Sequence, residues 1–481
     1  MHKTLILGGP GAGKTWRLLE ILEAELERGV PPQEIAYVSF TRKAVAEAIE
    51  RTQLKFEVNK KDLLHFKTLH ALCYMKLGLT KNNVFNYKHL DELGEVLGTS
   101  FSWGGNADPF GNLKGDRALF LENYARIMQI SLRQAWEYTD NDLDWYWLKL
   151  FSDSLNQYKR EHYLVDFTDM LTDYKEITPV KVVIIDEAQD LSRLQWALVY
   201  RTFIKCDRMY VAGDDDQAIY KWSGADIEAF LTLPVNNVET LPFSHRLNRN
   251  VFDYTQTIAD RIKYRYNKAF RPHNEHSGDV YKERYLDNIE ITEDESWLFL
   301  ARNKIFLKHM ERHVKQQGFI YTISDEKSVK KKDMTVIKDY ESWRSGELLY
   351  GKKINNILKR IDPRATVDED TFYEFKDFNI PNRIWHEVMG YMPLDDRVYY
   401  LSILRSGRKI LSKPLIHINT IHSVKGSEAD NVVVMSDIAR RSYKNLQFDS
   451  DDENRVFYVG TTRAKNNLYV ILPQTDKHYE V

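Results

Sequence analysis

The run Gly8-Gly9-Pro10-Gly11-Ala12-Gly13-Lys14-Thr15 has the composition of a polyphosphate cradle. Glycines let the backbone turn tightly, so that several N–H groups point into one concavity at the positive end of the helix that begins at Lys14. Lys14 is placed to reach the β- and γ-phosphates, and Thr15 to offer its hydroxyl to Mg²⁺. Asp186 and Glu187 are the complementary acidic pair. Asp186 is suited to hold Mg²⁺ through its water shell, and Glu187 to act as the general base that orients and activates an attacking water. An isolated Asp-Glu pair could also be a solvated turn, the lesser reading, and a phosphate cradle in the same chain favours the hydrolytic one further.

These groups need rigid elements to hold them. Residues 4–7 form a short apolar strand ahead of the cradle, and Leu18, Leu19, Leu22 and Leu26 follow it at helical spacing. Residues 182–185 are Val-Val-Ile-Ile, apolar enough for a parallel strand buried on both faces, with the acidic pair at its carboxyl end. A third strand over residues 208–212 ends in Gly213-Asp214-Asp215-Asp216-Gln217. Further on, a strand over 297–301, a helix over 305–317 and Gly318 as its stop make a second α/β unit. Strands over 416–420 and 468–472 complete it, with a helix leading to Arg463 between them.

The 481 residues suffice for two to four domains with cores of their own. Lysine and arginine (68) balance aspartate and glutamate (70), so a nucleic-acid partner must be held by a local groove rather than by overall charge. Cys73 and Cys206 are the only cysteines, which excludes a four-cysteine metal site and a disulfide framework and points to a reducing, cytoplasmic setting. No apolar run approaches the roughly 18 residues of a membrane span, and the first residues lead into a strand rather than a signal peptide.

Five segments in order resemble the motifs of superfamily 1 helicases of the UvrD/Rep/PcrA type: Gly-Pro-Gly-Ala-Gly-Lys-Thr, Ile-Asp-Glu-Ala-Gln-Asp, Gly-Asp-Asp-Asp-Gln-Ala-Ile-Tyr, Val-Lys-Gly-Ser-Glu and Tyr-Val-Gly-Thr-Thr-Arg-Ala. The resemblance implies an α/β fold, two RecA-like P-loop NTPase domains with parallel sheets in tandem, each carrying an inserted, mainly helical subdomain. It assigns 1–78 and 164–275 to the first domain and 276–324 and 414–481 to the second. The insertions are then 79–163 and 325–413.

The same resemblance assigns residue roles. Gln217 would sense the γ-phosphate, a task suited to an amide that bonds both phosphate and water. Arg246 would touch the γ-phosphate from across a cleft, and Arg463 would be the arginine finger that neutralises charge developing there. Gly426 and Glu428 would lie on the nucleotide side. His245 stands where relatives place a tyrosine that stacks on adenine, and their adenine-reading glutamine ahead of the first strand is expected to be missing. Trp16 and Arg17 are the candidates to compensate, and a relaxed preference for ATP is expected. Phe40, Thr41 and Arg42, where relatives have Asn at the last position, resemble the first DNA-contact segment, and Thr68 and His70 the next. Tyr220 and Trp222 would offer faces to unpaired bases, with core packing the competing reading for both. Thr420 and His422 would grip the DNA backbone.

Within the first insertion, Trp136, Trp145, Trp147 and Tyr158 read as buried helix faces, and the stretch from Trp103 to Gly111 as a turn-rich loop. Lys327, Lys330, Lys331, Lys332, Lys352, Lys353, Lys359 and Arg360 make the second insertion basic, fitting either a duplex phosphate partner or a solvated charged face. The expected activity is an ATP-dependent, Mg²⁺-requiring helicase or translocase on single-stranded DNA and single-strand/duplex junctions, 3′-to-5′ by resemblance. It would serve repair, recombination or replication with protein partners from those pathways. The short second insertion keeps open a translocase that strips proteins without unwinding. A nucleotide-regulated recruitment module and an RNA track also remain open, and no nuclease domain is expected after Val481.

Overall fold

Unbroken apolar runs with polar tips decide the architecture: Val182–Asp186 and Ile35–Ser39 are buried at every position, as strands covered on both faces must be. The computed structural model describes residues 1–39, 42–102, 113–139, 141–273, 277–408 and 412–481. These residues divide into two compact units, one of 1–247 and 259–275, the other of 248–258 and 276–481. The chain therefore leaves the first unit after Leu247 and returns to it for residues 259–275.

The first unit is built on strands β1 (His2–Gly8), β2 (Ile35–Ser39), β3 (Phe66–Lys67), β4 (Val182–Asp186), β5 (Arg208–Gly213) and β6 (Asn237–Leu241). They lie in the order β3-β2-β4-β5-β1-β6, every pair parallel. All carboxyl ends thus share one edge, with Ser39 beside Asp186 and Leu7 beside Gly213 in register. Alternate side chains feed two cores. Leu5, Leu7, Val183 and Ile185 pack with Trp196, Leu198 and Phe203 on one face. Ile6, Tyr37, Val182 and Ile184 meet Leu18, Leu19 and Leu22 of the helix Lys14–Glu27 on the other.

The helices Tyr87–Leu97, Lys114–Met128, Leu132–Tyr138 and Trp145–Glu161 form a separate core around Leu93, Leu121, Leu148, Phe151 and Leu155. Trp136, Trp145, Trp147 and Tyr158 pack against that core. The turn-rich stretch from Trp103 to Gly111 lies outside the described residues. Arg126 and Lys159 fasten the helices to the next element: Arg126 bonds Asp169 at 2.8 Å and Lys159 bonds Asp166 at 2.7 Å, at the start of the helix Phe167–Asp173.

The second unit has β7 (Val280–Glu283), β8 (Trp297–Ala301), β9 (Tyr321–Ile323), β10 (Glu326–Lys327), β11 (Ile416–Thr420), β12 (Ala429–Met435) and β13 (Ala464–Ile471). Their order is β10-β9-β11-β8-β12-β13-β7, parallel except for the β9–β10 pair. β13 starts earlier than residue 468, directly after Arg463, because Ala464 pairs with Ala429. The helix expected over 305–317 divides into a 3₁₀ turn, Lys304–Phe306, and an α-helix, Leu307–Gln316.

Among the described residues, Tyr340, Trp343, Ile357, Tyr400 and Ile403, from the helices between β10 and β11, belong to one cluster with Phe299, Ile418 and Val433 of the sheet. Several cations of that segment pair locally, Lys330 with Asp396 at 3.1 Å, Lys353 with Asp339 at 2.9 Å and Arg360 with Asp333 at 2.7 Å. No helix among the described residues is long and apolar enough to cross a membrane. Because Trp343 is fully buried in the shared cluster, Trp343→Ala should cost about 3–5 kcal/mol. Denaturant unfolding should then show the whole second unit melting earlier as one transition, rather than a separate loss of the insertion.

Candidate functional site

At the carboxyl edge of the first sheet, Gly11 and Gly13 adopt φ of 70° and 79°, the left-handed conformation that curls the loop around a concavity. A Cβ on Gly9 would lie 2.5 Å from the Phe270 ring, and one on Gly11 2.5 Å from Cβ of Arg246, so neither position admits a side chain. The main chains of Gly8, Pro10 and Ala12 complete the loop. The Lys14 ammonium folds over it, donating to the carbonyls of Gly8 at 2.8 Å and Gly9 at 3.3 Å.

Thr15 Oγ1 donates to Asp186 Oδ2 at 2.9 Å, joining residues 171 positions apart. Tyr37 OH reaches the same oxygen at 3.4 Å, and the Glu187 N–H donates to Oδ1 at 2.9 Å. Burial first, and the neighbouring Glu187 second, raise the Asp186 pKa to about 6. A hydroxyl and a carboxylate side by side are hard oxygen donors suited to Mg²⁺. The raised pKa reports buried negative charge that a divalent cation would relieve. Glu187 itself sits at φ 55°, a conformation costly for a residue with a side chain.

Between these groups in the sheet runs β5, whose tip carries Gln217. Its amide donates to Asp214 Oδ2 at 2.6 Å. Burial alone would raise the Asp214 pKa, but Lys268 and then Lys14 hold it down to about 2. Gln189 missed attention in the sequence, although it stands two residues past Glu187: its amide donates to Glu187 Oε2 at 2.6 Å and its carbonyl accepts from the Asp214 N–H at 3.0 Å. Lys268 and Phe270 gave no local signal, since nothing in their spacing ties them to the loop.

Arg246 groups with the unit that holds Lys14, and its segment is bonded to the glycine-rich loop: the His245 N–H donates to the Gly11 carbonyl at 2.9 Å and Ser244 Oγ to that of Pro10 at 2.7 Å. His245 stacks on His273, centroids 5.2 Å apart. Trp16 is exposed beside the loop, and the Arg17 guanidinium is engaged by Glu239 at 2.7 Å and by Glu20 at 3.2 Å.

In the second unit, Arg463 is buried and its Nε donates to the Val459 carbonyl at 2.8 Å. Its Nη1 lies 3.4 Å from the Ser427 carbonyl, which brings it beside the loop of Gly426 and Glu428. Gly426 has φ 83°, and Glu428 pairs with Lys465 at 2.9 Å. The same loop begins with Thr420, which shares a hydroxyl contact with Ser423 at 3.2 Å, and half-buried His422.

Of the sequence-derived DNA contacts, Phe40 and Thr41 lie outside the described residues. Arg42, Thr68 and His70 come together in a groove of about 510 Å³ with Tyr74, Lys81, Asn86 and Phe167, four residues the sequence did not suggest. Thr68 caps its helix by accepting from the Ala71 N–H at 3.3 Å. Burial lowers the His70 pKa, so the ring is neutral near pH 7, and it stands edge-on to exposed Phe167 at 5.9 Å. Tyr220 is half-buried, and Trp222 is 38% exposed on a 3₁₀ turn.

Residues 1–236 match the family described as UvrD/REP helicase N-terminal domain, and residues 225–475 the UvrD-like helicase C-terminal domain. The chain belongs to the UvrD/REP helicase family. Among curated relatives, the "ATP-dependent DNA helicase PcrA" of Staphylococcus aureus is 23% identical over 414 residues, 79% of this chain and 54% of that protein. A Mycoplasma pneumoniae protein described as "Probable DNA helicase" is 22% identical over 499 residues, 97% of this chain and 80% of its own length. The UvrD/REP chain thus spans about half the length of the PcrA proteins it matches. Among solved structures, an arterivirus nonstructural protein 10 (helicase) in complex with DNA aligns over 98% of this chain and 62% of its own, at 11% identity and a TM-score of 0.36, a likeness that carries no argument.

The folded-state pKa of Asp186, above the ordinary 3.8, means that the native protein holds this proton more tightly than the unfolded chain. The stability it contributes is full below about pH 4 and is lost as pH rises through about 6. In a chelating buffer at pH 8, Asp186→Asn should therefore unfold at higher denaturant than the parent, by up to about 3 kcal/mol. That advantage should vanish near pH 4.

Proposed function

We propose that this chain is an ATP-dependent DNA motor, a helicase or translocase that hydrolyses ATP·Mg²⁺ while moving along single-stranded DNA. The observation that carries the reading is the contact of Thr15 with Asp186, with Glu187 held beside it at the edge where Lys14 caps the phosphate loop. Lys14 would bind the β- and γ-phosphates, and Thr15 and Asp186 would hold the Mg²⁺ that screens them. Glu187 orients the attacking water and takes its proton. Gln217 and Arg246 would bond the terminal phosphate, and Arg463 is assigned to neutralise charge that develops on it by likeness to the family. Loss of that phosphate removes the contacts that favour one conformation of the motor, which is how hydrolysis drives a step.

Single-stranded DNA is assigned to the groove of Arg42, Thr68, His70 and Phe167, to Tyr220 and Trp222, and to Thr420 and His422, with 3′-to-5′ travel and junction binding by likeness to the family. Work in repair or replication, protein partners and a cytoplasmic setting belong to the same proposal. So does the division into RecA-like halves with insertions at 79–163 and 325–413. The local pairing of the second insertion's cations favours a narrower reading in which the motor strips proteins from single strands without opening duplex.

Lys14→Ala and Glu187→Gln should each lower DNA-stimulated ATP hydrolysis by at least ~10²-fold while single-strand affinity survives, as read by phosphate release and fluorescence anisotropy. Loss of DNA binding with turnover intact would overturn those roles, and a forked duplex left closed by a hydrolysing motor would select the stripping activity. Phe167→Ala should weaken single-strand binding by roughly 5- to 100-fold, the worth of one base–aromatic stack, without changing basal hydrolysis.

A further inference from the structure

Lys268 lies where no motif would place a functional lysine. Its ammonium sits 2.7 Å from Asp214 Oδ1 and 2.9 Å from Asp216 Oδ2, and also bonds Asp215 Oδ1. All three carboxylates are fully buried, and the Lys268 side chain is 3% exposed. Arg265 adds a second cation, 2.6 Å from Asp216, and the Tyr266 N–H donates to Asp215 Oδ2 at 2.6 Å. The three carboxylates converge within 4.8 Å, a spacing that could hold a metal ion, but the chain has put its own ammonium among them.

Asp214 is the branch point. One oxygen faces Lys268, the other accepts from the Gln217 amide at 2.6 Å, and its main-chain N–H donates to Gln189, whose amide in turn holds Glu187. Only a glutamine of this length both donates to a carboxylate and accepts from an N–H here. A glutamate would repel Glu187, and an asparagine falls short. Gly213 makes the approach possible, since a Cβ there would lie 2.7 Å from Gln189 Oε1.

We propose that Lys268, Asp214 and Gln189 form a positioning relay that locks the water-activating Glu187 and the phosphate-sensing Gln217 into one geometry. Neither Lys268 nor Gln189 touches the reacting atoms; each acts through the residue it holds. The relay makes phosphate sensing and water activation a single event, because displacement of Gln217 pulls on Asp214 and through Gln189 on Glu187. The segment that bears Lys268 also places Phe270 against Gly9 of the phosphate loop, so that it spans the loop and the sensor. This inference rests on the proposed ATP hydrolysis.

The test is steady-state ATP hydrolysis by the full chain with and without single-stranded oligonucleotide, with thermal unfolding in parallel. Gln189→Leu, uncharged and similar in size, should lower kcat by ~10- to 100-fold, the cost of misplacing a reacting group by about an ångström, with KM for ATP within about threefold of the parent. Lys268→Met should act likewise, and Lys268→Arg should recover most of the rate. The double variant Gln189→Leu/Lys268→Met should be no slower than the worse single one, as expected of groups acting as a unit. Parent-like kcat in Gln189→Leu, a loss confined to KM, or multiplicative losses in the double variant would overturn the relay. If Lys268→Met does not fold, the kcat and KM split of Gln189→Leu decides alone. Hydrolysis that ignores DNA would overturn the motor reading while the relay is still judged on basal kcat; a parent chain with no hydrolysis would overturn both.

Discussion

Negative charge gathered where water barely reaches is the constraint on which the rest of the first unit depends. A parallel sheet brings all its carboxyl ends to one edge, and here that edge carries Asp186, Glu187 and the run Asp214 to Asp216. A carboxylate removed from water without partners costs several kcal/mol at least. The chain resolves the problem in two different ways. The three aspartates beyond β5 are met by Lys268 and Arg265; Lys268 holds the Asp214 pKa down to about 2, while burial and then the neighbouring Asp214 and Asp215 outweigh the two cations at Asp216 and raise it to about 6. Asp186 is met by the Thr15 and Tyr37 hydroxyls and the Glu187 N–H, and its pKa rises to about 6.

Fixing Glu187 carries its own cost. A non-glycine residue in the left-handed region stores on the order of 1–3 kcal/mol of strain, and the geometry persists because several bonds determine it. Its N–H is tied to Asp186 and its carboxylate to Gln189, while the following 3₁₀ turn is buried. The buried apolar length of β4 supplies the stiffness behind those bonds. Strain at the tip is tolerated because the strand below it has nowhere to move.

Two groups of helices solve the burial problem differently. Those between Tyr87 and Glu161 make their own core and reach the sheet through the Arg126 and Lys159 ion pairs, which also set the start of the helix bearing Phe167. A subdomain that looks remote thereby helps to shape the groove of His70 and Arg42. The helices between β10 and β11 are continuous with the hydrophobic core of their sheet, so they behave as part of that unit.

Local pattern was enough to read the phosphate loop, the strand that presents Asp186 and Glu187, the turn that bears Gln217 and the amphipathic helix Lys14–Glu27, because each is encoded by neighbours in sequence whose spacing fixes its geometry. Gln189 was legible in principle, two positions from Glu187, but a glutamine declares no partner until the strand beside it is known. Lys268 to Asp214 spans 54 positions and Thr15 to Asp186 spans 171, and no periodicity encodes closures of that length. Tertiary structure alone decided that Phe270 fills the space over Gly9, that Phe167 faces His70, and that Arg246 belongs with the phosphate loop. Hydrophobic spacing specifies which face of an element is buried. The order in which strands associate specifies which distant polar groups meet at their ends, and that order is a property of the whole fold.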